Sequence, residues 1–259
     1  MTSVLVTGGS GRLGRALLDR LVEAGYDVRA ASRTARDPGG GVRWTVLDLA
    51  TGAGVARAVE GVDVIVHLAS MPYKGRYTRR VELGGTAELL AAAREAGTAH
   101  FVYTSIVGVD QVPWGYFRTK LRAERLVQEG GVPWTTVRIT QFHSFVEEVL
   151  RGMARLGVLV TDPGVTVRPV DVADAAGHLV SVVERGPGSR IEEYAGPEVL
   201  TMSEMAEAWL RARRLRRLVL RLRLPGGLGR AARAGHLVTK AEPAGTITWA
   251  DHLRRRRAR

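Results

Sequence analysis

Short apolar runs alternate with longer amphipathic stretches over the first 140 residues. Val4-Leu5-Val6 leads into Thr7-Gly8-Gly9-Ser10-Gly11-Arg12-Leu13-Gly14. A stretch with Leu13, Leu17, Leu21 and Ala24 on one face follows. That order predicts strand, glycine turn and helix. Further strands are predicted over 27–32, 42–47, 62–68, 100–104 and 133–139. Helices are predicted over 81–96, ended by Gly97, and from Tyr116 to the stop at Gly130-Gly131. The fourth strand is nearly all apolar, as a strand covered on both faces should be. The alternation implies an α/β fold with a doubly wound parallel sheet and right-handed crossovers.

Beyond residue 140 the pattern loosens. It predicts a helix over 144–155, a strand over 165–170 and a helix capped by Asp171 running through 183. A strand over 191–194 is assigned to a smaller lobe. Thr201-Met202-Ser203-Glu204 matches a capping box opening a helix to about residue 213. Arg and Leu alternate over 218–224, which reads as an edge strand. Residues 225–259 carry the weakest pattern. The expected organisation is one dinucleotide-binding domain over 1–259, with 141–259 supplying a small C-terminal substrate lobe and a basic tail.

Composition narrows the class. A chain of 259 residues with 45% hydrophobic positions suits one large α/β domain with a small lobe. The absence of cysteine excludes disulfides, thiolate metal sites and a cysteine nucleophile, and fits a cytoplasmic setting. No apolar run approaches the roughly 20 residues that span a bilayer, so no membrane partner is expected. A first strand beginning at once argues against a signal peptide. The net charge is +12. From Arg211 onward fourteen Arg and one Lys face only Glu242 and Asp251, so the tail carries the excess and the first 210 residues are near neutral. A basic tail can hold phosphate polymers, but an Arg-rich solvated surface is the favoured reading, because net charge speaks to non-specific attraction.

The glycine turn carries the first chemistry. Gly8 can make the sharp exit from the strand, Gly11 allows a pyrophosphate to approach, and Gly14 allows the helix to pack on the sheet. The helix N-terminus then offers N–H groups and a positive dipole end to phosphates. Thr7, Gly8, Ser10, Gly11, Arg12, Leu13 and Gly14 are therefore expected to hold a dinucleotide. The second strand ends in Ala31-Ser32-Arg33, with Arg36 nearby, while Asp27 lies at the opposite end. A guanidinium suits a ribose 2′-phosphate, so NADP(H) is expected over NAD(H), with Ser32, Arg33 and Arg36 at the ribose. Asp48 stands where it could accept from the adenine amino group or cap the next helix. Leu68, Ala69 and Ser70 end the fourth strand beside the cofactor, and His67 reads as a packed histidine.

Tyr116 and Lys120 stand four apart at the start of a helix, on one face. Ser105 ends the preceding strand. Tyr116 is the candidate acid/base. A phenol near pKa 10 is a poor base at neutral pH, so Lys120 would favour the phenolate and hold the nicotinamide ribose. Ser105 would orient a carbonyl oxygen. Tyr73, in the loop over 71–80, and Gln141, Phe142, His143 and Phe145 would shape the substrate pocket. No metal is expected.

These residues give the chain a resemblance to the short-chain dehydrogenase/reductase superfamily, above all its atypical, NmrA-like or NAD(P)H-binding members. Thr7 to Gly14 matches the glycine motif and Asp48-Leu49 the adenine contact. The strand around Tyr103-Thr104-Ser105 and the helix around Tyr116-Phe117-Arg118-Thr119-Lys120 are similar to those carrying the catalytic residues. Trp134-Thr135-Thr136-Val137-Arg138 and Val170-Asp171-Val172-Ala173-Asp174 resemble later family segments. The likeness covers roughly residues 2–210. It implies a Rossmann fold, a bound dinucleotide and carbonyl–alcohol redox chemistry. One departure matters: Glu82 stands where many active relatives place an asparagine that supports a proton-relay water. The expectation is an NADP(H)-dependent oxidoreductase acting on a small or medium carbonyl or alcohol, with a homodimer compatible. An epimerase or isomerase on the same fold and a non-catalytic NADP(H) sensor are the alternatives.

Overall fold

The computed structural model describes residues 1–242 and 244–255. Arg256, Arg257 and Arg259 of the basic tail lie outside the described residues. β1 (Ser3–Thr7) is buried along its whole length and turns through the glycines into α1 (Arg12–Glu23), which buries Gly14, Leu17, Leu18 and Leu21. β2 (Asp27–Ser32), β3 (Val42–Val46), α2 (Val55–Val59) and β4 (Val64–His67) follow. Next come α3 (Arg76–Arg79), a π-helical segment (Arg80–Gly85) and α4 (Thr86–Glu95), without a break. The helix predicted over 81–96 thus starts earlier, and part of it is wound as π-helix. β5 (His100–Ile106), α5 (Gly115–Glu129) and β6 (Trp134–Ile139) match the predicted elements to within two residues at each end.

The later elements are α6 (His143–Arg155), β7 (Val158–Thr161), β8 (Thr166–Val167), α7 (Val172–Arg185) and β9 (Arg190–Tyr194). β10 (Leu200–Thr201), α8 (Met202–Arg213), β11 (Leu218–Arg221), α9 (Gly226–Arg233) and α10 (Trp249–Arg255) complete the chain. The capping box forms as expected: the Thr201 hydroxyl accepts from Glu204 N and the Glu204 carboxylate accepts from Thr201 N. Asp171 caps α7, its Oδ1 accepting from Ala173 N at 2.9 Å.

The main sheet is seven-stranded, in the order β3-β2-β1-β4-β5-β6-β9, a Rossmann-type α/β arrangement. The β1–β2, β1–β4, β2–β3 and β4–β5 pairs are parallel. The order reverses between β1 and β4, where dinucleotides bind in open sheets of this kind. β9 joins the edge of this sheet instead of the lobe. Its Arg190, Glu192 and Glu193 suit an edge, where charge discourages further pairing. The strand predicted over 165–170 shrinks to β8, because Pro169 cannot donate to a ladder. β8 pairs antiparallel with β10, and β11 pairs parallel with β7 as an edge strand.

Two compact units make up the chain, and the polypeptide passes back and forth between them. The first comprises residues 1–105, 115–138 and 176–192, and the second residues 106–114, 139–175 and 193–259. The first is built on a core that includes Leu5, Ile65, Leu89, Phe101 and Tyr103. The second has its own core, including Leu150, Leu159, Met205, Trp209, Trp249 and Leu253. Among the described residues no helix is long and apolar enough to cross a membrane.

Candidate active site

The glycine turn is a cradle with no room for side chains. Gly8 has φ +70°, and a Cβ there would lie 2.8 Å from Ala69 N. A Cβ on Gly14 would lie 2.3 Å from the Gly8 carbonyl oxygen. Gly11 N donates to Gly8 O at 2.9 Å, closing the turn. Gly11 caps α1 without a side-chain bond, which leaves first-turn N–H groups for a ligand. Leu68 N and Ala69 N, at the end of β4, donate to Thr7 O and Thr7 Oγ1, each at 3.3 Å. The two strand ends at the switch point are thereby tied together. A cradle that a Cβ would fill, at an uncapped helix start, fits a dinucleotide pyrophosphate.

At the end of β2, Ser32 is buried and its hydroxyl donates to Thr34 O. Arg33 and Arg36 are exposed, and the Arg36 guanidinium lies 5.2 Å from the centroid of the Trp44 ring. Asp27, at the start of that strand, pairs with Arg43. Asp48 Oδ1 accepts from Ala50 N at 2.8 Å, so it orders its own turn, while Gly54 caps α2. Leu49 is buried beside Gly85, where a Cβ would lie 2.5 Å from the Leu49 carbonyl oxygen. His67 is a packed histidine: Nδ1 meets Thr7 Oγ1 at 2.6 Å and Nε2 meets Thr86 Oγ1 at 3.0 Å. Burial first, and the Lys120 charge second, lower its pKa to about 3.

Tyr116 and Lys120 extend from the first turns of α5. The Tyr116 hydroxyl lies 2.6 Å from Ser70 Oγ, and Ser70 Oγ donates to Glu82 Oε1 at 2.5 Å. A serine has one proton to give, so the Tyr116 O–H donates to Ser70. With Glu82 as the carboxylate acceptor, the chain runs from phenol to serine to carboxylate. Glu82 is 1% exposed, within the π-helical segment, and also accepts from Met71 N at 3.1 Å. Lys120, 4% exposed, lies 3.4 Å from Glu82 Oε2 and donates to Thr104 O at 2.8 Å. Its ammonium stands 4.2 Å from the Tyr103 ring centroid. Desolvation, then the Glu82 charge, push the Tyr116 pKa well above that of a free phenol. Tyr116 is therefore a neutral donor at physiological pH.

Residues 8–181 match a family model described as NAD(P)H-binding, about two thirds of the chain. The chain belongs to the NAD(P)H-binding family. It is 32% identical over 212 residues to a (4-alkanoyl-5-oxo-2,5-dihydrofuran-3-yl)methyl phosphate reductase of Streptomyces griseus, covering 78% of this chain and 70% of the reductase. Among the solved structures that share its fold are two that it matches over nearly its whole length. A nucleoside-diphosphate-sugar epimerase from Staphylococcus aureus superposes with a TM-score of 0.80 at 17% identity, over 98% of this chain and 99% of the epimerase. An NADPH-dependent quinone oxidoreductase from Escherichia coli, complexed with NADPH, superposes with a TM-score of 0.79 at 19% identity, over 97% and 99%.

The remaining predicted residues of this family member are placed as follows. Ser105 is the penultimate residue of β5 and belongs to the first unit, and its buried Oγ has no hydrogen-bond partner. Tyr73, at φ +62°, packs its ring 5.6 Å from that of Tyr116. Gln141, Phe142 and His143 belong to the second unit, where Phe142 caps α6 and His143 is 1% exposed. Phe145, on α6, is 41% exposed. Glu82 as a partner of both Ser70 and Lys120 is the feature that spacing alone missed. Its signal was the departure from asparagine.

Proposed function

We propose that this chain is an NADP(H)-dependent oxidoreductase interconverting a small or medium carbonyl compound and its alcohol. The observation that carries the reading is the continuous hydrogen-bonded chain from Tyr116 through Ser70 to Glu82. A bound nicotinamide would supply or accept the hydride. In oxidation the alcohol hydroxyl gives its proton to Tyr116 Oη, the phenolic proton passes to Ser70 Oγ, and the Ser70 proton passes to Glu82 Oε1. Reduction runs the same three transfers backwards, from a protonated Glu82 to the carbonyl oxygen. Glu82 is thus the terminal base, a role that a neutral Tyr116 cannot fill alone. Lys120 offsets the buried carboxylate charge, and its bond to Thr104 O fixes the ammonium. The unpartnered Ser105 hydroxyl is suited to orient the substrate oxygen. The kinship with a Streptomyces griseus reductase favours the reductive direction.

Replacing Tyr116 by Phe should lower turnover of a carbonyl substrate found by screening by about 10²–10⁴-fold while NADPH binding is kept. Unchanged turnover would remove Tyr116 from the reaction. The NADP(H) preference rests on Arg33 and Arg36, since stacking on Trp44 uses the face of the Arg36 guanidinium and not its N–H edges. Changing both to Ala should weaken NADPH binding roughly ten- to hundredfold in calorimetry, the loss of one or two charge-assisted bonds, and leave NADH binding unaltered. An equal loss for both dinucleotides would overturn the preference.

A further inference from the structure

The second unit contains a cluster that the proposed reaction does not use. His143 opens α6, Asp171 precedes α7 and His252 lies on α10. One ligating atom from each lies within 4.8 Å of the other two. Asp171 Oδ2 is 3.2 Å from His252 Nδ1 and 3.7 Å from His143 Nδ1. His143 and His252 are 1% and 7% exposed. We propose that His143 Nδ1, Asp171 Oδ2 and His252 Nδ1 form a divalent transition-metal site, with zinc(II) as its natural occupant.

Three observations carry the proposal. At 3.7 Å the His143 Nδ1 contact is too long for a hydrogen bond, and this buried nitrogen has no hydrogen-bond partner. Leaving such a group unpaired costs about 1–3 kcal/mol, and a cation on the shared carboxylate oxygen would satisfy it. Bonds of about 2.1 Å in a tetrahedral site set ligand atoms roughly 3.4 Å apart, close to the two distances seen. Next, the ligand atoms face one another: His252 Nδ1 and Asp171 Oδ2 share a hydrogen bond at 3.2 Å that a bound ion would replace. Asp171 Oδ1 is spent on Ala173 N, which leaves Oδ2. His252 Nε2 lies 3.3 Å from Glu147 Oε2, and so the ring turns Nδ1 toward Asp171. This is the carboxylate–histidine–metal arrangement that fixes tautomer and raises ligand basicity. Last, the support is rigid. Glu147 is held by Arg151, Arg213 and the Trp209 indole, and Trp249 stacks on the His252 ring at 10°. Two imidazoles and a carboxylate suit zinc(II). Three protein ligands leave one tetrahedral position to water or a small anion. The site would clamp α10 onto α6 and the start of α7.

Full-length protein carrying a tag without histidines tests this directly. After dialysis, elemental analysis should find about one equivalent of zinc per chain. Cobalt(II) added to the chelator-treated chain should give visible absorption bands typical of low coordination number. Glu147→Gln should weaken zinc binding about ten- to hundredfold, as loss of a supporting carboxylate does, and Asp171→Asn should abolish stoichiometric uptake. NADPH titration and circular dichroism of each variant report whether the chain is still folded. Failure of the wild-type chain to take up either metal would overturn the site whatever the variants do. Full uptake by a folded Asp171→Asn chain would overturn it too. Neither result bears on the reaction assigned to Tyr116.

Discussion

A buried glutamate beside a buried lysine changes what the Tyr116 phenol can do. With the anion near it, the phenol holds its proton more tightly than in water, and in the proposed reaction it hands protons along instead of ionising. The Glu82→Gln variant removes that anion. The Tyr116 pKa must then fall, so the alkaline limb of kcat/KM against pH should move to lower pH. The loss of the terminal base should lower kcat by about 10²-fold. A pH profile unchanged in position would show that Glu82 does not act on Tyr116. The same variant leaves Lys120 buried without its anion, at a cost of about 3–5 kcal/mol, which denaturant titration would read. The placement of Tyr116 and Lys120 on one helix and of Ser105 near a strand end was visible in the sequence because helix spacing and strand ends are local rules. The pairing of Glu82 with Ser70 was not. The two residues stand twelve apart on different segments, and Glu82 lies in one wound as π-helix, so no local spacing rule joins them.

At the scale of elements, the glycine turn and α1 act as one part. Gly14→Ala would press a methyl group on the Gly8 carbonyl and the Gly9 backbone, neither of which can swing aside. The expected result is a loss of about 1–3 kcal/mol in stability together with loss of NADPH binding. A variant that binds NADPH normally would show that the helix start does not meet the phosphates. The central strands were legible because each is a short apolar run between turns. β7, α9 and α10 were not, because each is short and is completed only by partners far along the chain. Trp249 and Leu253 of α10, for example, find their core against residues from α6 and α8.

At the scale of the molecule, the charge excess is less free than its count suggests. Arg213, Arg233, Arg221 and Arg254 pair with Glu147, Asp162, Glu207 and Asp251. Acid should unfold the chain through its histidines. Burial lowers the pKa of His67 to about 3 and, helped by Arg190, that of His100 to about 4. Both are neutral when folded and gain protons on unfolding below their ordinary value of 6.5. Stability is therefore complete above that pH and falls as pH drops, by at most about 1.4 kcal/mol per pH unit for each ring. Denaturant midpoints at pH 7 and pH 5 should show the fall, and a folded His100→Asn chain should show a smaller one. An equal fall in the variant would remove His100 from the account.

The back-and-forth path of the chain between its two units has a practical consequence. No single cut releases either unit whole. Trimming the protein at residue 211 would take away not a loose appendage but part of the second hydrophobic interior, Trp249 and Leu253 included. The arginines between 211 and 255 are best interrogated by neutralising side chains one at a time, and any swap of the second unit with a relative has to exchange three separate stretches at once.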